Sequence, residues 1–440
     1  MTLPQLPDLR GLPYYDEAIT YWVYGNRSWA WEFAGWKPES MSWKTGCYIH
    51  GGLSDSQVIF NGPDVVRLFE SLCVNNFEQF SIGSMKHAIM CTPAGLIATH
   101  GILQRNAEDQ VRFYAGGTWP VFHAINSKFR VKVEFPRWYL FQVAGPTSLQ
   151  TLERAADESL GDMRFLRFRT AKIAGKTVEI GRLGMSGNLA YEVRGPIEDG
   201  AEVYDAIFRA GEGLGIQRLG WRSYLVNHVE GGFPQVFWTF FPAMLDYPGF
   251  EAFMGNTLPR CSVTGSVDPR DMRARYRTPV EVGWSSTVRL NHDFMGRAAV
   301  EKELANPSRT VATLRWNSDD VLDIYRSLLQ PGDEFKTLDL PTSPAWSTTG
   351  WLAHADSVLK NGKRVGISSG TIYSYYFREV LSMVCIDIDQ AAKGNEVIVE
   401  WGDFGKRIKQ VRATVERFPY LTEGRNDKVD TSRPGYTILR

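Results

Sequence analysis

The chain has 440 residues, enough for two or three domains with substantial cores, and its 49 lysines and arginines balance its 49 aspartates and glutamates. This balance excludes the strongly basic surface typical of nucleic-acid binding, so we expect no nucleic-acid partner. The five cysteines are scattered and form no CxxC pair, which predicts neither a disulfide framework nor a metal site. Residues 1–7 lack the basic and apolar regions of a signal peptide, and no apolar run reaches the length of a membrane span. We therefore expect a cytoplasmic protein without a membrane partner.

Aromatic residues make up 13% of the chain and include 14 tryptophans. They are dense in residues 14–48 and show no helical period there, which predicts a loop and a short helix packed on a pocket. Large aromatic side chains suit a packed core as well as a pocket for flat ligands.

Two similar series of elements follow. The first contains a strand at 57–60, an amphipathic helix starting at Val65, strands at 85–90, 96–103 and 111–114, and a helix at 119–129. The second contains a strand at 141–143, a helix at 146–155, strands within 171–182 and a helix at 201–210. This repeated order predicts a duplicated α+β arrangement. Residues 245–278 are rich in Pro, Gly and Arg and are expected to be an irregular insertion over the site.

The last 130 residues change character. Short strands with turn residues between them are predicted at 311–316, 350–354, 364–369, 380–386, 396–401 and 409–415. Such spacing is typical of a small closed or sandwiched β domain. We therefore predict an α+β protein with a body at residues 1–305 and a C-terminal β domain at residues 306–440.

The segment GMSGNLAYEVRGP at residues 184–196 carries the clearest functional signal. Its three glycines predict a turn that a flat ligand can approach closely, and Glu192 follows in a short alternating strand. A buried carboxylate there suits a planar heterocycle with two parallel N–H donors, such as a pterin. The other interpretation of the segment is an ordinary hairpin with a surface carboxylate.

Seven further motifs occur in a characteristic order: FQVAGP at 141–146, LGWRSYL at 219–225, EGGFP at 230–234, PVEVGW at 279–284, DFMGR at 293–297, SGT at 369–371 and GNEV at 394–397. Together with the glycine turn they resemble the glycine-cleavage T-protein (aminomethyltransferase) superfamily, from about residue 30 to the end of the chain. The resemblance implies a duplicated folate-binding body capped by a small C-terminal β-barrel. It also implies tetrahydrofolate as the acceptor of a one-carbon unit.

The class of one-carbon donor is indicated by a segment in which this chain differs from the aminomethyltransferases. Where the aminomethyltransferases have a Gly-Gly-Ile-Ile-Asp-Asp segment with a catalytic acid, this chain has AGLIATHG at 94–101, with Thr99 and His100 in place of the aspartates. The aromatic N-terminus, including YWVY at 21–24, is more similar to the tetrahydrofolate-dependent aryl O-demethylases of the vanillate and syringate type. A histidine of those enzymes falls near Ser54 here and an arginine near residues 116–117, so the resemblance implies an altered donor pocket.

Moving a methyl group from an aryl ether to a folate nitrogen requires alignment of nitrogen, carbon and oxygen. The leaving phenolate also needs a proton or strong hydrogen bonds, because its conjugate acid has a pKa of about 10. We assign proton handling to His100, which falls at the family's acid position, and to Tyr24, which matches a substrate-facing tyrosine. A core histidine and a packing tyrosine are the structural alternatives.

The family motifs and the residues near them supply the remaining candidate residues. Glu192, Arg222, Gln142, Tyr191 and Arg289 are the candidates for tetrahydrofolate binding, and Ser54, Trp238 and Phe240 are the candidates for the substrate pocket. A solvated arginine and a hydrophobic core strand are the competing interpretations of Arg222 and Trp238. No metal is expected.

The leading hypothesis is thus demethylation of a small methoxylated aromatic compound onto tetrahydrofolate. Removal of the methylene bridge from a methylenedioxyphenyl group is the main alternative, and sulfonium demethylation is less well supported by the aromatic composition. A folate-binding accessory protein is a further alternative, but the cysteine motif of such superfamily members is missing near the turn. The sequence leaves the oligomeric state open.

Overall fold

The computed structural model describes residues 20–24, 27–51, 57–114, 116–185, 187–255, 261–343, 346–347 and 350–431. The first elements among these residues are β1 (Thr20–Tyr24), β2 (Arg27–Glu32), α1 (Trp36–Thr45) and β3 (Cys47–His50). The first two strands form an antiparallel hairpin, so part of the segment expected to be a loop is a hairpin instead. Strand pairing can organise such a segment even though its sequence shows no clean period.

The first series of elements builds a five-stranded sheet. It comprises β4 (Gln57–Asn61), α2 (Val65–Leu72), β5 (Met85–Cys91), β6 (Ile97–Ala107), β7 (Gln110–Tyr114), α3 (Thr118–Asn126) and β8 (Lys132–Glu134). The strand order is β5-β6-β7-β4-β8. Helix α2 forms because apolar residues recur at helical spacing, and this face is buried.

The second series repeats that order. It comprises β9 (Trp138–Ala144), α4 (Ser148–Ala156), β10 (Phe168–Ile173), β11 (Lys176–Arg182), β12 (Ala190–Pro196), α5 (Gly200–Gly211) and β13 (Ile216–Arg218). The sheet order is β10-β11-β12-β9-β3-β13, so β10, β11, β12 and β9 occupy the places of β5, β6, β7 and β4. The predicted duplication is confirmed.

Helices cover the outer faces of both sheets. Apolar residues of α2 and α3 form one core with the five-stranded sheet, and those of α4 and α5 form another with the six-stranded sheet. The inner faces of the two sheets meet through polar side chains. Arg112 and Tyr114 of the first sheet hydrogen-bond to Glu179 and Glu192 of the second. The inner faces of the two sheets therefore meet on the side away from helices α2, α3, α4 and α5.

A connecting region follows the second series. It contains α6 (Trp221–Gly231), α7 (Phe250–Met254), β14 (Cys261–Thr264), α8 (Met272–Arg275) and α9 (Arg297–Ala305). Residues 245–278, expected to be irregular, thus include two short helices and a strand. The longest of these helices, α6, packs its residues against β3 and the C-terminal strands in a shared hydrophobic core.

The C-terminal part contains β15 (Arg309–Trp316), α10 (Ser318–Ser327), β16 (Trp346–Ser347), β17 (Gly350–His354), β18 (Asp356–Lys360), β19 (Lys363–Ser374), β20 (Glu379–Asp387), β21 (Glu396–Trp401) and β22 (Lys409–Glu416). Six of these strands close a barrel in the order β15-β20-β19-β18-β21-β22, which confirms the predicted small β-barrel. Helix α10 interrupts the strands because the Asn317 side chain accepts hydrogen bonds from the backbone N–H groups of Asp319 and Asp320. In the described ranges, no helix combines the length and apolar character needed to cross a membrane.

Candidate active site

Four residues form a row across the inner face of the six-stranded sheet. The backbone register places His50 opposite Gln142, Gln142 opposite Glu192, and Glu192 opposite Gly181. Residues opposite each other on neighbouring strands project to the same face, so the three side chains lie side by side. The pairing of β9 with β12 thus brings together two of the predicted folate-binding residues.

Glu192 is buried in an ion-paired network. Its Oε2 accepts hydrogen bonds from the Tyr114 hydroxyl at 2.9 Å and from Nη2 of Arg194 at 2.9 Å. Burial raises the pKa of Glu192, and the Arg194 guanidinium opposes that rise. The adjacent Tyr191 lies on the opposite face of β12, in the core that α4 and α5 cover. The structure therefore does not bring Tyr191 together with Glu192.

Polar atoms beside Glu192 remain open for a ligand. The Tyr48 hydroxyl donates to Oε1 of Gln142 at 2.5 Å, and the Asn227 amide approaches the same hydroxyl at 3.5 Å. Gln142 Nε2 and Asn227 Oδ1 are buried, and neither has a hydrogen-bond partner within the described residues. A buried amide N–H and a buried amide oxygen without partners are costly unless a bound molecule satisfies them. A flat heterocycle with N–H donors and ring acceptors fits this set.

His100 lies in a second cluster, on β6. Its Nδ1 is 3.2 Å from Nε2 of His87 on β5. Trp284 packs edge-on against both imidazoles, with ring centroids 4.7 Å from His87 and 4.9 Å from His100. Phe233 and Phe240 complete the surroundings at 5.7 Å and 6.4 Å from the His100 ring. The predicted pocket residue Phe240 and the predicted catalytic residue His100 are therefore neighbours.

The surroundings of the His100 imidazole favour its neutral form. Burial lowers its pKa well below the usual 6.5, and His87 and His228 lower it further. Burial likewise lowers the pKa of His87 to about 4. The Nε2 atom of His100 is buried without a partner among the residues described. A buried ring nitrogen without a partner is costly unless a bound molecule satisfies it.

A continuous line of rings joins the two clusters. His50 stacks on Tyr224 with centroids 4.2 Å apart, and Tyr224 lies 4.4 Å from His228. His228 is 5.8 Å from Phe233, which in turn contacts His100. Tyr224 and His228 are four residues apart on α6, a spacing that places them on one helix face. Motif matching missed His228. Its spacing of four residues from Tyr224 in a predicted helix could have indicated that the two side chains lie together.

Other predicted residues lie elsewhere. Arg222 donates to Oε1 of Glu32 at 2.7 Å and to the Leu340 carbonyl at 2.6 Å, so it joins the β1–β2 hairpin to the C-terminal part. Arg289 is exposed and bonds the nearby carbonyl of Ser286 at 2.7 Å. Trp238 is buried in the core that α6 shares with the barrel. Ser54 and the side chain of Tyr24 fall outside the described residues.

The C-terminal segment of the chain packs against the glycine turn at Gly187. Gly187 has a positive φ of 79°, and its backbone lies directly against the guanidinium of Arg425. The backbone N–H of Asn426 also donates to the Gly187 carbonyl at 2.7 Å. The positive φ favours glycine at this position, and the C-terminal segment packs against the same turn.

Two surface clefts lie apart from these clusters. A cleft of ≈ 540 Å³ is lined by residues of the barrel and α10, and a second of ≈ 450 Å³ lies between α1, α10 and β19. Neither contains a predicted site residue. The convergence of buried polar atoms without partners and of aromatic rings, where the two sheets meet α6 and the connecting region, is therefore the stronger indication of a site.

Comparisons with known proteins agree with this architecture. Residues 15–237 match the GCVT N-terminal domain family. The chain is 36% identical over 418 residues to a sesamin methylene transferase from Sinomonas sp., covering 91% of this chain and 92% of that protein. It is 29% identical over 432 residues to a syringate O-demethylase from Sphingobium sp., with the same coverage of 91% and 92%.

Among solved structures, the glycine cleavage system aminomethyltransferase T from Bartonella henselae matches with a TM-score of 0.66 at 16% identity. The match covers 94% of this chain and 99% of that one, which shows a shared fold. With its family match, its relatives and its duplicated body followed by a barrel, the chain belongs to the glycine-cleavage T-protein (aminomethyltransferase) family.

Proposed function

We propose that the protein demethylates a methoxylated aromatic compound, transferring the methyl group from the aryl ether to tetrahydrofolate. The observation that carries the proposal is the His87–His100 pair, enclosed by Trp284, Phe233 and Phe240 at the family's acid position. Aromatic walls favour an aromatic donor over an amine carried on a flexible arm. The resemblance to a syringate O-demethylase over most of both chains supports the same donor class.

The residues beside Glu192 fit the pterin part of tetrahydrofolate. Both protein hydrogen bonds to Glu192 end on Oε2, and we assign Oε1 to the ligand. Gln142 Nε2 would donate to a ring acceptor, and Asn227 Oδ1 would accept from a ring N–H. When bound, tetrahydrofolate supplies the nucleophilic nitrogen that accepts the one-carbon unit. The protein's part is to orient the ligand and exclude water.

His100 acts in this proposal as a neutral hydrogen-bond partner of the leaving oxygen. Because burial lowers its pKa well below 6.5, an imidazolium ion is not the resting form near pH 7. A neutral imidazole stabilises charge on a departing oxygen through a directed N–H bond. No net oxidation occurs: the ether oxygen gains one proton, and the acceptor nitrogen loses one.

Demethylenation is the second candidate function. The higher identity, 36%, is to a sesamin methylene transferase over nearly the whole of both chains. A methylenedioxyphenyl donor would release a catechol and methylene-tetrahydrofolate, again without a redox change. Both reactions require stabilisation of a leaving phenolic oxygen, so the same His100 arrangement serves either.

Product analysis distinguishes the two reactions. Purified protein is incubated anaerobically with tetrahydrofolate and either methoxyarenes or methylenedioxyarenes, and the folate products are weighed by mass spectrometry. Methyl-tetrahydrofolate is the expected product, whereas methylene-tetrahydrofolate would establish the second function. His100→Ala should lower turnover while folate affinity is retained, and His123→Gln, on the outer helix α3, serves as its control. Retained folate binding without product from any donor would overturn both proposals.

A further inference from the structure

The contact between His87 and His100 constrains where their protons lie. The two rings meet nearly at right angles, at 87°, with Nε2 of His87 directed toward Nδ1 of His100 at 3.2 Å. A hydrogen bond between two neutral imidazoles contains one proton, so one ring donates and the other accepts. If His87 donates, His100 carries its own proton on Nε2. If His100 donates, its Nε2 is left with a lone pair.

The direction of this hydrogen bond therefore sets what His100 offers to the substrate. Nε2 of His100 is the atom that is buried without a protein partner in the described part of the chain. A leaving phenolic oxygen requires a donor, which only the Nε2–H tautomer supplies. The tautomer of a histidine is generally set by the bond that its other nitrogen makes.

We propose that His87 is a positioning residue whose Nε2–H donates to Nδ1 of His100 and thereby holds the His100 proton on Nε2, facing the leaving oxygen. The inference rests on the proposed function, because it assigns the donor that the departing oxygen needs. As the carbon–oxygen bond breaks, its electron pair stays on oxygen and the new carbon–nitrogen bond forms. The departing phenolate oxygen gains one proton to become the phenol and the acceptor nitrogen loses one, so no further reactant is required.

The structure holds His87 in place from two sides. The Asn75 side chain donates to the His87 carbonyl at 2.9 Å and accepts from the backbone N–H of Ile89 at 3.1 Å. On the other side, the His87 ring packs against Trp284 and lies 5.7 Å from Phe233. A ring fixed in this way loses little further freedom when it orients its neighbour. His87 does not need to touch the substrate to act.

Two substitutions separate positioning from packing. His87→Leu removes the donor, and His87→Gln retains an amide N–H at about the position of Nε2. For simple methoxyarenes we expect His87→Leu to lower kcat roughly 100-fold and His87→Gln to stay within several-fold of wild type. The KM for tetrahydrofolate should change little in either variant. His123→Gln on α3 is the matched histidine control.

The loss should depend on the leaving group. A ring-nitrated methoxyarene releases a more acidic phenol, which needs less help from a donor, so His87→Leu should affect this substrate much less. Equal losses for activated and unactivated substrates would overturn the proposal. So would a His87→Gln variant as slow as His87→Leu, or a His87→Leu variant as fast as wild type.

A second measurement is independent of turnover. Long-range proton–nitrogen NMR of protein labelled at its seven histidines reports the tautomer of each ring, with His100→Gln used for assignment. We expect the Nε2–H tautomer of His100 in wild type and in His87→Gln, and its loss in His87→Leu. An Nδ1–H tautomer in wild type would overturn the proposal. Absence of turnover by wild type would instead contradict the proposed function and leave this tautomer result to stand alone.

Discussion

The surroundings of Glu192 determine how its role should be tested. The Arg194 side chain is 1% exposed and pairs with Glu192, so truncation of the glutamate would leave a buried, uncompensated cation. Loss of one partner of a buried pair typically costs about 3–5 kcal/mol of stability. An alanine variant would therefore confuse ligand binding with unfolding.

Glu192→Gln is the sharper substitution. The amide keeps the shape of the side chain but loses the charge, and we expect tetrahydrofolate affinity to fall about 10- to 100-fold, equivalent to about 1.5–3 kcal/mol. Titration calorimetry at a temperature well below the unfolding midpoint measures this loss. Glu179→Gln changes the same inter-sheet network through Arg112 and should leave the affinity nearly unchanged. Equal affinities for Glu192→Gln and wild type would remove Glu192 from the binding site.

At the scale of elements, one buried carboxylate joins two helices to the barrel. Glu230 on α6 accepts hydrogen bonds from Trp43 Nε1 at 3.1 Å, from Lys44 Nζ at 2.5 Å and from the Ser374 hydroxyl at 2.6 Å. Its side chain is 0% exposed, and that of Lys44 is 5% exposed. Burial lowers the pKa of Lys44 to about 8, and Glu230 opposes this. The packing of α1, α6 and β19 against one another therefore depends on the Lys44–Glu230 ion pair and its hydrogen bonds.

Glu230→Ala should lower the free energy of unfolding by about 3–5 kcal/mol, because Lys44 remains buried without its partner. Urea unfolding at neutral pH measures the change. Asp205→Ala, at an exposed pair with Arg209, is the control and should change stability by no more than about 1 kcal/mol. The double variant Lys44→Met, Glu230→Leu should recover part of the loss. A single variant as stable as the control would show that the charge pair contributes little.

At the scale of the whole molecule, the C-terminal segment returns from the barrel to the six-stranded sheet. Arg182 on β11 donates to Oδ1 of Asn426 at 3.1 Å and to the Thr431 hydroxyl at 2.8 Å. Asn426 also donates to the carbonyl of Ala190, the first residue of β12, at 3.1 Å. The last described residues therefore stabilise the strand that carries Glu192.

Asn426→Ala should destabilise the protein by about 2 kcal/mol, because it leaves Arg182 and the Ala190 carbonyl short of buried hydrogen bonds. The free energy of unfolding in urea checks this value. Lys428→Ala, in the same segment but exposed, provides the comparison and should stay within about 0.5 kcal/mol of wild type. If both variants are equally stable, the segment is not coupled to the sheet.

Buried histidines predict acid sensitivity of the whole chain. Burial lowers the pKa to about 4 at five positions: His50, His87, His123, His228 and His354. Between pH 6.5 and pH 4 these imidazoles bind protons in the unfolded chain but stay neutral in the folded chain. Their contribution to the free energy of unfolding is therefore fully present above pH 6.5 and is lost as the pH falls through 4. Burial raises the pKa of Glu39 and Asp356 to about 7, which acts in the opposite direction. Burial also lowers the pKa of His100 and raises the pKa values of Glu192 and Glu303, so six imidazoles act against four carboxyls.

We therefore expect the urea midpoint to fall between pH 7 and pH 5. A fully buried imidazole whose pKa falls from 6.5 to about 4 contributes about 2 kcal/mol across that window, because only the interval between pH 6.5 and pH 5 counts. His228→Asn keeps a donor for the Tyr224 carbonyl and should make the pH dependence shallower, whereas Lys428→Ala should leave it unchanged. A midpoint independent of pH in wild type would contradict the prediction.

Much of the architecture was determined by the sequence itself. The two series of strands and helices were predicted because periods of 2 and 3.6 residues, and the glycines between them, are local properties of the chain. Motif order identified the family, and with it Glu192, Gln142 and His100 as candidates. The β1–β2 hairpin was missed because pairing between short aromatic strands leaves no clear period.

The tertiary structure decided which side chains meet. His87 reaches His100 through strand register, whereas Glu192 reaches Tyr114 only because two separate sheets face each other. The approach of Arg425 to Gly187 joins residues more than two hundred positions apart. Such contacts depend on how sheets, helices and the returning C-terminal segment pack together, and local periodicity carries no information about that packing.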